Sequence, residues 1–426
     1  MKLRRWPRGV RAGVGVLVAL AVAGCGAGAG GQSCEQTKLV VSTYGNFGYK
    51  GELEKQYEKA HPNIDVVIRE QEFAAHHEQL AQHLAAGSGA ADIEAIDTDW
   101  IAQFKGQPEN FVNLLELGAG EIRNRWLDWK WRQSLAAAGN HQIGLGTDVG
   151  GLAMCYRRDL FEKAGLPTDR DEVSDLISSW KGYIEAGKEF EKAGLDAYWM
   201  DAPSNLFNAV LRQQKRGYFN RQNELVMATN PGFRKAWSIT MSATKADLSA
   251  DLTAFQAEWV TGFRKSSFAT VTCPAWMMGN IKEYSKEHAG DWDIARIPGG
   301  SGNWGGSFLT IPKQGENTEE AYKLAKWLTA PQQQLKIFKN VGNMPSTPSL
   351  YDDPALTEFQ DPFFNDAPVG EIFTSAAKKL EPQYRAPQFG NVRAVVVNVI
   401  DRVAQGAISP SQGWNKAIQK AKREVS

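Results

Sequence analysis

The stretch KLVVSTYGNFGYKGELEKQYEKAHPNIDVVIRE, residues 38–70, decides the fold. It opens with a β-branched run, which predicts a strand that ends at Gly45. Leu53 and Tyr57 then lie four residues apart, as on one face of a helix, and the helix is expected to end at the sequence HPN, residues 61–63. IDVVIRE is typical of a second strand. A strand, a helix and a strand within about thirty residues form a βαβ unit, which predicts a parallel sheet.

The alternation of strands and helices continues on both sides of a glycine-rich segment. A helix over 73–86 and the short strand DIEAID come before HQIGLGTDVGGLAMCYRR, residues 141–158, in which two strand-like segments flank Gly144 to Gly151. Further along, the pattern predicts one long helix over Leu176 to Ala193, a strand FATVTCPAW, a helix pair whose start is capped by Asn317 and Glu320, and a helical tail. A crossing rich in glycine is suited to an interdomain hinge. We therefore predict two α/β lobes.

The start of the chain has the features of a secretory signal. Its first eleven residues hold five basic side chains and no acid, and an apolar run from Val14 to Ala23 follows, broken only by Gly15. The sequence VAGC at 22–25 resembles a bacterial lipobox. We expect a signal peptide over 1–24, a diacylglyceryl thioether on Cys25, and a flexible leader over 25–35. The alternative is a soluble secreted protein in which Cys25 occurs by chance.

The charge of the chain argues against nucleic acid as a partner. The chain has 48 basic and 48 acidic side chains, and removal of residues 1–24 would leave 43 against 48. A mildly acidic surface does not attract phosphate backbones, so nucleic acid is not an expected partner. We expect a monomer that the lipid anchor holds at the extracellular face of the cell membrane.

Three cysteines follow Cys25, at 34, 155 and 273, an odd number for an oxidising compartment. Cys155 and Cys273 both lie in strand-like segments, and a disulfide between them would leave Cys34 free. Two buried thiols remain the alternative, because spacing does not give connectivity.

The sequence lacks the common catalytic and metal-binding motifs. It contains no G-x-x-x-x-G-K-[ST] and no G-x-S-x-G, so no enzyme, cofactor or metal is predicted. His76, His77 and His83 miss the H-E-x-x-H spacing, and we expect them on a solvated polar face. Two carboxylates across a cleft would still suit glycoside hydrolysis, so a lipid-anchored secreted glycoside hydrolase remains an alternative function. A metal-binding receptor of similar architecture is another.

Several segments together resemble a known family, the extracellular solute-binding lipoproteins of carbohydrate ABC importers (solute-binding family 1). They are STYGNFGY, GTDVGGLAMCYRRDLFEKAGLPTDRDEV, FATVTCPAWM, NWGGSFLTIPKQ, AKWLTAPQQQ and NDAPVGEIF. The likeness is strongest to binders of cellobiose, cello-oligosaccharides and xylobiose. It implies a two-lobed, hinged periplasmic-binding-protein-like fold of type II with three interlobe crossings. By the same resemblance, lobe 1 would comprise 36–147 and 308–350, and lobe 2 would comprise 148–307 and 351–426.

The resemblance and the chemistry of sugars together suggest which residues bind the ligand. A pyranose has an apolar face that suits aromatic rings and a rim of hydroxyls that suits carboxylates, amides and guanidinium groups. In α/β lobes such groups lie beyond the carboxyl ends of strands. Trp276 occupies the position of the family's sugar-stacking tryptophan, and glycines flank Trp304. Core burial of the tryptophans and helix capping by the aspartates are the alternatives. The predicted ligand-binding residues are Trp276, Trp304, Gly305, Trp100, Tyr44, Phe47, Asn46, Asp148, Asp97, Asn205 and Arg385.

The sequence therefore predicts the substrate-binding component of an ABC sugar importer. It would capture a β-linked oligosaccharide between its lobes and deliver it to the transmembrane permease subunits.

Overall fold

The computed structural model describes residues 36–426. The strands are β1 (Thr37–Tyr44), β2 (Ile64–Gln71), β3 (Ile93–Asp97), β4 (Gly144–Gly146), β5 (Asp148–Val149), β6 (Leu152–Arg157), β7 (Tyr198–Met200), β8 (Phe268–Pro274), β9 (Trp292–Ala295), β10 (Ser307–Thr310) and β11 (Met344–Pro345). The helices of the first half are α1 (Glu52–Ala60), α2 (Phe73–Ala86), α3 (Ile101–Phe104), α4 (Asp128–Gln133), α5 (Arg158–Lys163), α6 (Arg170–Leu176), α7 (Trp180–Glu191) and α8 (Pro203–Arg212). Those of the second half are α9 (Pro231–Lys245), α10 (Ala257–Arg264), α11 (Met277–Tyr284), α12 (Thr318–Leu328), α13 (Pro331–Val341), α14 (Pro354–Thr357), α15 (Val369–Lys378), α16 (Phe389–Ala404) and α17 (Pro410–Glu424).

The first sheet has five strands in the order β2-β1-β3-β10-β4. β1 pairs in parallel with β2 and β3, which confirms the predicted βαβ unit, and β10 runs antiparallel to β3 and β4. Leu39, Val41 and Ile93 are fully buried, because helices cover the sheet. The three parallel strands therefore bring the loops after β1 and β3 to one edge of the sheet.

The second sheet has four strands in the order β7-β8-β6-β9. All six residues of β6 are buried, as expected for a central strand covered on both faces. A disulfide joins Cys155 on β6 to Cys273 on β8, with an S–S distance of 2.06 Å. Cys25 and Cys34 lie outside the described residues. The two sheets confirm the two-lobed α/β architecture.

Three stretches of chain lie side by side between the two sheets: β5 with the glycines that follow it, β11, and the segment around Trp304. β5 pairs antiparallel with β11, and the backbone N–H of Trp304 donates to the carbonyl oxygen of Gly150 at 2.8 Å. A Cβ atom at Gly150 would lie 1.8 Å from the carbonyl oxygen of Trp304, so only glycine fits there. The glycine-rich segment predicted as a crossing thus packs against a second crossing.

Two local predictions were wrong in detail. The helix expected over Leu176 to Ala193 is present as α7 but begins later than predicted, at Trp180, because Leu176 ends α6 and the Ser179 side chain caps α7 by accepting a hydrogen bond from the N–H of Gly182. Asn317 precedes α12 but its side chain makes no capping hydrogen bond.

Within residues 36–426, no helix is both long enough and apolar enough to cross a membrane.

Candidate functional site

Polar side chains meet where β1 and β3 end and β10 begins. The hydroxyl of Tyr44 lies 2.5 Å from Oγ of Ser307 and donates to Oδ2 of Asp97 at 3.3 Å. Burial, reinforced by the charge of Asp99, raises the pKa of Asp97 to about 7. Burial also raises the pKa of Tyr44, so its hydroxyl stays protonated at neutral pH. The structure thus brings together Tyr44 and Asp97, as expected from their positions at strand ends.

His77 fixes the loop that carries Asp97 and Trp100. Its Nδ1 donates to the carbonyl oxygen of Phe73 at 2.7 Å, and its Nε2 accepts from the N–H of Asp97 at 3.0 Å. The imidazole is stacked on Trp100 with the ring centres 5.1 Å apart. Burial, with repulsion from His76, lowers the pKa of His77 to about 3, so the ring is neutral. The solvated face predicted for these histidines is wrong for His76 and His77, which are buried.

A buried group of charges joins the two lobes, and we call it the Asp99 cluster: Asp99, Arg212, Arg385 and Arg393. Asp99 accepts hydrogen bonds from Nη2 of Arg212 at 2.6 Å and from Nε of Arg385 at 2.8 Å. Nε of Arg393 lies 3.6 Å from the same carboxylate. Burial alone would raise the pKa of Asp99, but the charges of the three arginines hold it well below its usual range.

The elements that carry the Asp99 cluster belong to different parts of the fold. Asp99 follows β3 of the first sheet. Arg212 is the last residue of α8, which follows β7 and precedes β8 along the chain, and both strands belong to the second sheet. Arg393 lies near the start of α16. Trp100 also faces this helix, since a Cβ atom at Gly390 would lie 2.9 Å from its indole ring. The loop after β3 is therefore in direct contact with the other lobe.

Asp148 lies at the crossing itself, and its carboxylate accepts hydrogen bonds from neighbouring residues. Oδ1 accepts from the hydroxyl of Thr147 at 2.6 Å and from the N–H of Ser307 at 2.9 Å. Nearby, Nζ of Lys130 is buried 3.9 Å from the ring centre of Phe308 and has no hydrogen-bond partner among residues 36–426. Burial lowers the pKa of Lys130 to about 7.

Aromatic side chains lie beside the same crossing. The indole N–H of Trp276 donates to the carbonyl oxygen of Trp304 at 2.8 Å, and the two rings are perpendicular with centres 5.9 Å apart. Trp304 is buried, whereas Trp276 is partly exposed and Phe255, 6.1 Å away, is 40% exposed. A Cβ atom at Gly305 would lie 2.7 Å from Nε1 of Trp276. Glycine at this position therefore allows the indole to reach the crossing.

The side chains of three other predicted residues interact with neighbouring parts of the protein: Asn46, Phe47 and Asn205. Asn46 is exposed and its Oδ1 accepts from the N–H of Gly48 at 2.8 Å. Phe47 is buried and lines, with Asp148, a cavity of about 10 Å³, which holds at most one water. Asn205 is buried and donates to Asp201 at 2.6 Å. A ligand-binding role for these three stays a prediction.

A larger groove lies away from this set of residues. It has a volume of about 1080 Å³ and is lined by α9, α17 and the turn before α17, including Trp237, Met241 and Trp414. None of its lining residues belongs to the predicted ligand-binding set or to the Asp99 cluster.

We call the group formed by Tyr44, Asp97, Trp100, Asp148, Trp276, Phe255 and the Asp99 cluster the interlobe site, and sequence reasoning missed several of its residues. Asp99 had a signal, because it lies between Asp97 and Trp100, which were predicted. No sequence signal pointed to Arg212, Arg393 or Phe255, since a charged residue on a helix or an aromatic residue in a loop is common. Among residues 36–426, no three His, Cys, Asp or Glu side chains are placed to hold a metal ion.

Comparisons with known proteins agree on a family and a fold. The model of the bacterial extracellular solute-binding proteins matches residues 52–364. An arabinooligosaccharide-binding protein of Halalkalibacterium halodurans is 22% identical over 313 residues, which cover 70% of this chain and 68% of that protein.

Solved structures give the same result. The crystal structure of an extracellular solute-binding protein of family 1 is 39% identical, with a TM-score of 0.78 over 92% of this chain and 100% of that one. The binding protein of a Bifidobacterium animalis subsp. lactis ABC transporter, solved with β-1,6-galactobiose, is 18% identical, with a TM-score of 0.79 over 91% and 98% of the two chains. The fold is thus the two-lobed, periplasmic-binding-protein-like fold that the sequence predicts.

Proposed function

Because the chain belongs to the family of bacterial extracellular solute-binding proteins, we propose that it binds a β-linked oligosaccharide of the cellobiose, cello-oligosaccharide or xylobiose type. It is the substrate-binding component of an ABC sugar transporter. In the proposal, the two lobes enclose the sugar and the permease subunits receive it. Lobe boundaries at 147/148, 307/308 and 350/351 are part of the same proposal.

The observation that carries the proposal is that the segment next to Trp276 is hydrogen-bonded to the loop that follows Asp97. The N–H of Thr98, next to Asp97, donates to the carbonyl oxygen of Gly306 at 2.9 Å, and Gly305 contacts Trp276. In the proposal, a sugar ring stacks on Trp276, and Asp97 on the neighbouring segment accepts from its hydroxyls. This is the combination that a pyranose requires, because one of its surfaces is apolar and its rim is polar.

The partly exposed indole of Trp276 supports a stacking role. Its N–H is already bound by Trp304, so the ring is fixed in orientation before a ligand arrives. A fixed plate costs little conformational entropy on binding. Phe255 adds exposed aromatic surface beside it. Trp304 itself is buried, so we assign it the role of holding Trp276 rather than that of a second plate.

The sugar identity is the finer part of the proposal. The arabinooligosaccharide-binding protein and the protein solved with β-1,6-galactobiose have different ligands, so proteins similar to this chain bind several sugars. The preference for cello- or xylo-oligosaccharides rests on the resemblance of FATVTCPAWM and NWGGSFLTIPKQ to binders of those sugars. The glycoside hydrolase alternative is not supported, since the family and the similar structures are those of binding proteins.

A thermal-shift screen over β-linked disaccharides and trisaccharides tests the function. A ligand at 100 times its Kd stabilises the protein by about 2.7 kcal/mol, and for roughly 390 residues this raises Tm by about 3 °C. Chromatography of the same mixture must show the sugar intact. Turnover would instead establish an enzyme, and no shift with any sugar would contradict the proposal.

Variants of Trp276 test the stacking assignment. Trp276→Ala should weaken the leading sugar by roughly 5- to 30-fold, the equivalent of about 1–2 kcal/mol of lost apolar burial. Trp276→Phe keeps a plate and should retain most of the affinity. Trp414→Ala removes another partly exposed indole, in the groove beside α17, and is the matched control. Full affinity in Trp276→Ala would refute the assignment.

We also propose that Cys25 carries a lipid that holds the protein at the outer face of the membrane. Cys25→Ser should release the protein from the membrane fraction into the medium. Retention of that variant in the membrane would contradict the anchor.

A further inference from the structure

The Asp99 cluster contains three guanidinium groups and only one carboxylate. The side chains of Arg212, Arg385 and Arg393 are 1%, 4% and 17% exposed. Burial and the neighbouring charge of Arg212 lower the pKa of Arg385 to about 10, so it remains charged at neutral pH. A buried cation without an opposite charge is costly, because the interior screens and solvates it poorly. The cluster therefore has an excess of positive charge.

Each of the three arginines also has an N–H donor that no acceptor in the described residues pairs with. Nη1 of Arg212, Nη1 of Arg385 and Nε of Arg393 are buried and have no hydrogen-bond partner within residues 36–426. Buried polar groups in folded proteins are nearly always paired, so unpaired ones call for an explanation. Here the orphaned donors come from three side chains around a single carboxylate.

Neighbouring charged groups do not restore the balance. Asp97 is another acid whose charge affects Arg212 and Arg385, and its pKa of about 7 means that it is partly protonated at neutral pH. Lys130 adds another basic group close enough for the charge of Arg385 to affect its pKa. Arg212 and Arg385 both lie over the ring of Phe389, at 4.9 and 5.3 Å, and its weakly negative face offsets only a small part of their charge.

We infer that the Asp99 cluster is a subsite for a carboxylate group of the ligand, so that the oligosaccharide bound here contains a uronic acid. The inference rests on the proposed sugar-binding function and changes its substrate class from a neutral to an acidic β-linked oligosaccharide. A sugar hydroxyl would accept one hydrogen bond but would leave the excess charge unmatched. A carboxylate matches the charge and offers two oxygens to the planar guanidinium fork. Asp99 shows that a carboxylate can bridge two of these arginines, since its Oδ2 accepts from Arg212 and its Oδ1 from Arg385.

The location of the cluster fits a ligand subsite. Asp99 belongs to the same loop as Asp97 and Trp100, between the lobes. The indole of Trp100, stacked on His77 and packed against Gly390, fixes this loop beside the start of α16, so the cluster lies between elements of both sheets. The subsite and the Trp276 region would then hold different rings of one oligosaccharide.

Calorimetric titration with two sugars of equal linkage tests the inference. The probes are cellobiose and cellobiouronic acid, in which a β-1,4-linked glucuronic acid replaces the non-reducing glucose. We expect the acid to bind at least about tenfold more tightly, because hydrogen bonds between two charged groups are stronger than those to a hydroxyl. The preference should persist in 0.5 M salt, since buried pairs are screened little.

Arg393→Gln assigns the preference to the cluster. Arg393 makes no hydrogen bond to Asp99 and is the least buried of the three arginines, so this variant disturbs folding least. The ratio of the two affinities should fall by about fivefold or more. Arg296→Gln, which removes a 63% exposed arginine on the surface, should leave the ratio unchanged.

The outcomes separate the inference from the function. Equal or tighter binding of cellobiose would overturn the carboxylate subsite and leave the sugar-binding function in place. A preference for the acid that Arg393→Gln does not reduce would overturn its assignment to the cluster. If neither probe nor any sugar of the wider screen binds, the proposed function is contradicted and the inference falls with it.

Discussion

The buried carboxylate of Asp99 allows a quantitative prediction for the substitution Asp99→Asn. The variant keeps the shape of the side chain but removes its charge, so that three arginines remain without their shared counter-ion. Removal of one partner of a buried ion pair typically costs about 3–5 kcal/mol of unfolding free energy. For roughly 390 folded residues, the entropy of unfolding converts this into a fall in Tm of about 4–6 °C.

Scanning calorimetry of Asp99→Asn beside Asp352→Asn provides the measurement. Asp352 forms an ion pair with Lys378 at 2.6 Å, but its side chain is 87% exposed, so its loss should cost less than about 1 kcal/mol. The double variant Asp99→Asn/Arg393→Gln should lose less than the sum of the two single variants, because it also removes one unmatched cation. A loss for Asp99→Asn as small as that of the control would show that the arginines reach water without unfolding, and would refute the reasoning.

Three further predictions concern the elements that hold the site. Folded His77 stays neutral down to a pKa of about 3, whereas the unfolded residue binds a proton below about 6.5, so its contribution to stability is complete above pH 6.5 and is lost as the pH falls. His77→Gln should therefore flatten the decline of Tm between pH 6 and pH 4 relative to wild type, and an identical slope would contradict this. Cys155→Ala/Cys273→Ala opens a loop closed over 118 positions and should lower the free energy of unfolding by about 5 kcal/mol, as measured by urea titration; an unchanged midpoint would refute it. Gly150→Ala forces a methyl group against the carbonyl oxygen of Trp304 and should lower both Tm and sugar affinity, whereas a variant with wild-type Tm would show that the crossing adapts.

The overall architecture follows from local patterns in the sequence. The β-branched runs and the helix between them at 38–70 specify paired parallel strands, because the period of apolar residues changes from two to about four and back. The glycine-rich segment at 144–151 predicts a crossing for a similar local reason. At Gly150 the backbone of another segment leaves no room for a side chain.

The interlobe site was only partly predictable, because its charges come together from distant positions. Asp99 and Arg385 are 286 positions apart, and nothing near either residue indicates the other. Trp276, Asp97 and Trp100 were predicted because strand ends are recognisable in sequence, and their ligand-binding role stays a prediction. His77 was misjudged for a different reason: its helix is rich in alanine and histidine, so the pattern did not reveal which face is buried against β3.

A crystal structure of the protein with its tightest sugar would locate the ligand. We expect one oligosaccharide between the lobes, with a ring against the indole of Trp276 and polar groups within hydrogen-bond distance of Asp97 and the Asp99 cluster. Sugar density confined to one lobe, or seated in the groove beside α17 with the interlobe site unchanged, would contradict this expectation.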